Sequence, residues 1–113
     1  DIGDATASSL TTGPVFGTAQ ALTGPGAINI TTFSTAFTST GTGNALTLID
    51  GAEGQIKNII YVAQTAGADT GILTPTNLGA YTTITFNNVG DSVQLQFLGT
   101  QWWVVSAFGA VAA

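Results

Sequence analysis

In 113 residues this chain carries a single basic side chain, Lys57, against six carboxylates, giving a formal net charge of −5; only 6% of its residues are charged while 44% are hydrophobic. That balance excludes a disordered polyelectrolyte, which needs low hydrophobicity and high charge, and a nucleic-acid binder, which needs a basic patch to meet the phosphates. Cysteine and histidine are both absent, so there is no disulfide framework, and the commonest metal ligands and general base are missing.

The length is that of one domain with a small core. Soluble domains usually carry about a quarter charged residues. A chain this poor in charge and this rich in Thr, Gly and Ala is therefore expected to hide much of its surface in an assembly. No run approaches the ~18 apolar residues of a membrane helix, and no basic segment leads into an apolar signal core, so neither a membrane nor nucleic acid is an expected partner. Methionine is absent even at position 1. An initiator Met is not normally trimmed before Asp, so the chain is expected to start at a processing site or to be part of a longer product.

Residues 1–14 are small and polar and read as an extended arm. Two β-type runs follow, 15–22 and 27–33, separated by Thr23-Gly24-Pro25-Gly26, a strong turn signal. Together they read as a hairpin, which with the arm forms an N-terminal part over 1–36, ahead of a sandwich domain over 37–113. Residues 34–44 hold Phe37 among Thr, Ser and Gly, a composition too β-branched and glycine-rich for a helix. Strands are expected at 45–49 and 55–64, around the turn Asp50-Gly51-Ala52-Glu53-Gly54. The second of these sets Ile56, Ile60 and Val62 on one face and Lys57, Ile59 and Tyr61 on the other. Residues 65–69 form a loop, 71–74 a short strand stopped by Pro75, and 76–81 another loop.

Residues 82–105 read as a three-stranded meander. Ile84 and Phe86 alternate with Thr83, Thr85 and Asn87, and Val93, Leu95 and Phe97 alternate with Gln94 and Gln96; both have the period of a half-buried strand. Gly90-Asp91 and Gly99-Thr100-Gln101 supply the turns. The last strand, Trp102-Trp103-Val104-Val105, is apolar on both faces, which fits a strand covered by its own core on one side and by a partner on the other. Neighbouring residues of a strand point oppositely, so one tryptophan belongs to the core and the other to an interface. About eight or nine short antiparallel strands at roughly ten-residue spacing, with no helix, make an all-β fold: a β-sandwich or jelly-roll-like barrel.

The parts of an enzyme are scarce. Lys57 lies inside a strand with no Ser at a recognisable spacing, so no nucleophile and base pair up, and no catalytic residue or cofactor is expected. Asp50 with Glu53, and Asp69 and Asp91 in loops, offer hard oxygen ligands, but their spacing matches no calcium loop, and Asp-Gly in a tight turn is ordinary backbone chemistry. Gly41-Thr42-Gly43-Asn44 lacks the helix and Lys of a phosphate cradle.

The runs Phe37-Thr38-Ser39-Thr40-Gly41-Thr42-Gly43-Asn44-Ala45-Leu46-Thr47-Leu48 and Asp50-Gly51-Ala52-Glu53-Gly54-Gln55-Ile56-Lys57 carry a resemblance. With Leu73-Thr74-Pro75-Thr76-Asn77-Leu78, Val89-Gly90-Asp91-Ser92-Val93 and Gln101-Trp102-Trp103-Val104-Val105, the stretch 37–111 resembles a module of structural proteins of tailed bacteriophages, notably those of cyanobacterial hosts. The resemblance implies a β-rich homotrimer on the virion, a capsid decoration (cement) protein on the capsid surface whose partner is the major capsid protein. On that reading Trp102, Trp103, Tyr61 and Phe108 close the trimer or meet the partner. Residues 1–36 lie outside the resemblance and supply the attachment, through Ile2, Leu10, Val15 and Phe16. The alternative it implies is a fibre module whose loops at 65–71 or 77–81 touch a host glycan.

Overall fold

The computed structural model describes residues 17–113 as an all-β sandwich of two sheets, without helix among them. Ten strands run in chain order: β1 Gln20–Thr23, β2 Gly26–Ile28, β3 Ser34–Ser39, β4 Asn44–Leu48, β5 Ile56–Gln64, β6 Gly71–Pro75, β7 Ile84–Phe86, β8 Ser92–Leu98, β9 Gln101–Phe108 and β10 Val111–Ala112. The first sheet has the order β1-β3-β5-β8-β9 and the second β10-β7-β6-β4-β2. Set side by side, these orders stack the molecule in five tiers, each with one strand from either sheet. The sheets keep separate edges, β1 and β9 in one and β10 and β2 in the other, so no barrel closes.

The first three tiers are a coil. From β1 to β6 the chain alternates between the sheets, and each strand pairs in parallel with the one two places on: β1 with β3, β3 with β5, β2 with β4, β4 with β6. The remaining pairings, β5 with β8, β6 with β7, β8 with β9 and β7 with β10, are antiparallel. Both sheets are thus mixed, which corrects the expected all-antiparallel arrangement. The hairpin expected over 15–33 is also absent from the described residues, because β1 and β2 belong to opposite sheets. The boundary expected after residue 36 falls inside β3, whose two neighbours lie on either side of it in sequence.

The meander is half right. β8 and β9 form a tight hairpin in which Leu98 faces Gln101 and Gly99 sits at φ +71° in the first turn position, as a type II′ turn requires. β7, by contrast, pairs with β6 in the other sheet. The loop after it is held by Asp91, whose Oδ2 accepts the Asn87 and Asn88 amides at 2.9 Å each. Asp91 also ties the loop to β5, its carbonyl accepting the Tyr61 amide at 2.8 Å. A local Asx-type turn therefore sends the chain across the sandwich instead of back along it.

The core lies between the inner faces. Phe37, Ile59, Tyr61, Val93, Leu95, Phe97 and Trp102 come from the first sheet, and Ile28, Leu46, Leu48, Leu73, Ile84 and Phe86 from the second. In-register parallel pairing places Leu22, Phe37 and Tyr61 in one column, with the Phe37 and Tyr61 rings 5.3 Å apart. The Phe37 ring also fills the space above Gly71 of the opposing sheet, where a Cβ would overlap it. Phe97 and Trp102 meet edge to face at 5.3 Å.

Candidate interaction surface

The ten strands contain one charged residue, Lys57, and it points inward. It shares the inner face of β5 with Ile59 and Tyr61, and its Nζ donates to Thr32 Oγ1 at 2.8 Å, Thr32 O at 2.9 Å and Asn29 Oδ1 at 3.2 Å. All three acceptors are neutral. Burial, with no counter-charge among the described residues, lowers the amine from 10.5 to about 8.

The described carboxylates sit in loops, and each already serves a local donor. Asp50 accepts Asn77 Nδ2 on both oxygens at 2.9 Å, and Glu53 Oε1 accepts the Gly99 amide at 2.8 Å. Asp69 Oδ2 takes Thr65 Oγ1 at 2.6 Å and the amides of Ala66 and Thr65 at 3.0 and 3.1 Å; the Thr65 hydroxyl foremost holds this carboxyl below its usual value. Among the described residues no three acidic, His or Cys side chains gather where a metal ion could be held.

Among the described residues both outer sheet faces are consequently uncharged. Across the first sheet one register row reads Ser34, Asn58, Gln94, Ser106, and the next includes Ala21, Ala36, Ile60 and Ser92. On the second, Ala45, Ile72, Thr85 and Val111 stand in one row. Exposed large apolar side chains occur along both sheets, Ile60, Val62 and Ile72 of β5 and β6 among them, and the tier of β9 and β10 adds Trp103, Val105, Phe108 and Val111, with Phe108 78% exposed. Val105 is the extra residue of a β-bulge opposite Gln94 and Leu95.

The residues expected at an interface divide. Trp103 is 39% exposed and Phe108 lies on the surface, whereas Trp102 and Tyr61 are fully buried in the chain's own core. Trp102 Nε1 donates to Ile49 O at 2.9 Å, and Tyr61 Oη donates to Asp69 O at 2.7 Å. These two side chains have no surface to offer a partner, which corrects their assignment to an interface. Tyr61 shares its face with Lys57, a residue that ordinarily marks a solvent-facing side; burial of the lysine turns that face inward. Ile2, Leu10, Val15 and Phe16 lie outside the described residues.

The two loops named for glycan contact lie at opposite ends of β6 and form no common patch. The loop at 77–81 borders a cleft of about 340 Å³ with Pro75 and Leu78 in its wall and Tyr81, 45% exposed, at its edge. Sequence reasoning did not find Gln101 as a member of this cleft, since it comes from the start of β9 and is brought there by the backbone bonds of its neighbour Trp102 to Asn77 and Gly79. No protein family, no curated protein and no solved structure matches this chain.

Proposed function

We propose that the chain is a virion structural protein: a capsid decoration protein that acts as a homotrimer on the outer surface of a bacteriophage capsid and carries out no catalytic step. The observation that carries this reading is that the strands leave both outer faces without a charge. Exposed sheets of soluble monomers are protected by charged side chains, on edges above all, and a surface without them is suited to being covered. The exposed Trp103, Val105, Phe108 and Val111 on neighbouring edge strands add apolar area where copies would meet.

The mechanism is linkage. A protein that touches neighbouring capsid subunits at once binds only the assembled shell, and binding to one state stabilises that state by mass action. The major capsid protein is the partner in this reading, with the virion surface as the location. Light scattering on the purified chain followed by co-sedimentation with stripped capsids tests it. A trimer that pellets with capsids is the expected result; a monomer in solution defeats the self-assembly, and a trimer left in the supernatant defeats the capsid assignment.

A further inference from the structure

The cleft between the 76–82 loop and the start of β9 is framed more rigidly than a surface depression needs to be. The Trp102 backbone clamps the loop from both sides, donating to Asn77 O at 3.0 Å and accepting the Gly79 amide at 2.7 Å. Thr76 N is bound to Leu48 O at 2.9 Å and Thr82 N to Ala113 O at 2.7 Å. Asn77 is anchored through its side chain to Asp50. Between these anchors Ala80 adopts φ +68°, the left-handed region, and is the one non-glycine residue to do so among those described. Strain of this kind is held in place by surrounding structure and aims the neighbouring side chain. Here the neighbour is Tyr81.

What the frame presents is uniform in chemistry. Thr74, Thr76, Thr82 and Tyr81 bring hydroxyls and Gln101 an amide, and among the described residues these side chains make no hydrogen bond within the protein. Hydroxyls and amides both donate and accept. Among the described residues no charged side chain lines the cleft, and the chain's net charge of −5 repels anions. The volume is at the lower end of the roughly 300–1,000 Å³ typical of small-molecule sites.

A ligand that matches must be neutral, must offer several groups that donate and accept, and must have an apolar patch for an exposed aromatic ring. A pyranose meets all three conditions, with hydroxyls around its rim and C–H groups on its face. We propose that this cleft binds one residue of a neutral saccharide, with the Tyr81 ring under the sugar face and Gln101 and the threonine hydroxyls on its rim. This holds whether or not the chain decorates a capsid, since the cleft is complete within one copy.

The test is amide-resolved NMR on the full chain, titrated with the methyl glycosides of glucose, galactose, mannose and N-acetylglucosamine, and with methyl glucuronide as the anionic comparison. At least one neutral glycoside is expected to shift the signals of Tyr81, Thr82 and Gln101 with millimolar affinity, and the glucuronide to bind more weakly. Tyr81→Ala should weaken that binding by about tenfold or more, whereas Tyr81→Phe, which keeps the ring, should retain most of it. Tyr81 is exposed, so neither change threatens the fold; Gln101→Ala provides an independent second variant. The proposal is overturned by an absence of shifts with every neutral glycoside, by shifts that survive Tyr81→Ala, or by equal binding of the glucuronide. Shifts at these residues that follow protein concentration without sugar would assign the cleft to a second copy and overturn it as well.

Discussion

The coil of β1 to β6 and the closing strands β7 to β10 share one core but are specified differently. In the coil each pairing joins residues far apart in sequence: Gln20 lies beside Thr35 and Thr35 beside Ile59, offsets of 15 and 24 residues, while Gly26 meets Leu46 and Leu46 meets Leu73, offsets of 20 and 27. In the closing half, Leu98 and Gln101 are joined by a two-residue turn. A hairpin encodes its partner in its turn, whereas a coil encodes it only in the apolar column that successive turns share. Stability in the coil therefore depends on a few stacked side chains, and in the closing half more on local geometry.

The sharpest way to break the coil is through Phe37. Its ring contacts Tyr61 on the next turn at 5.3 Å and Phe86 of the closing half at 6.3 Å, so it joins the two regions. Phe37→Ala is expected to cost about 3–5 kcal/mol, a large share of the roughly 5–15 kcal/mol that a domain of this size holds. Urea unfolding followed by circular dichroism and by tryptophan emission should show one shared transition moving to lower denaturant. Two separated transitions would mean that the halves unfold independently.

Gly71→Ala acts at the same junction from the opposite sheet. The added methyl overlaps the Phe37 ring in a packed interior, so a loss of about 1–3 kcal/mol is expected. Gly54 is the comparison. A Cβ there meets open space, and only its φ of +82° opposes a side chain, so Gly54→Ala should cost about 1 kcal/mol. Equal losses at the two positions would show that the ring above Gly71 moves aside freely.

Lys57 gives the coil a pH signature. Its amine is lowered to about 8 in the folded chain against 10.5 unfolded, so between those values the unfolded state holds more protons and stability rises with pH. The rise should amount to roughly 1–3 kcal/mol. Burial raises the Tyr61 phenol, so its contribution is complete below the ordinary tyrosine range and falls away at higher pH, which puts a ceiling on the gain. At the acid end the depressed Asp69 carboxyl acts in the other direction: its contribution is present above the usual carboxylate range and is lost as pH falls through its lowered value. Lys57→Met should flatten the alkaline rise. A rise of the same size in that variant would assign it to other groups.

These tests also show why one half was easier to read. Period two in β8, the glycine turn and the adjacent tryptophans located the β8–β9 hairpin and showed that one tryptophan of the pair is buried, though not that it is Trp102, because each signal lies within a few residues. No repeat was visible in the coil because its turns differ in length, and β3 carries mainly Ser, Thr and Ala around Phe37. β7 looked like the partner of β8 because proximity in sequence usually means proximity in a sheet; the Asp91 turn defeats that rule. Of the cleft, sequence could place Tyr81 in a loop, but Gln101 reaches it only through the clamp on Trp102.

The smallest effect on folding should come from the outermost tiers, and it separates the two ends of the stack. Val105 and Phe108 on β9 are exposed, as is Ala21 on β1 at the opposite end. Surface substitutions of this kind usually change stability by no more than about 0.5 kcal/mol, so Val105→Lys, Phe108→Lys and Ala21→Lys should all unfold near the parent midpoint. Their masses in solution should differ. A lysine on β9 places a charge in the apolar corner beside β10, where edge pairing or face packing between copies would have to bury it, and is expected to reduce a trimer to monomers. A lysine on β1 should leave the proposed trimer intact. If the reverse is seen, copies join through the coil end, whose parallel strands would then continue their stacking into a neighbour, and the exposed side chains of the closing half would be left for a different partner.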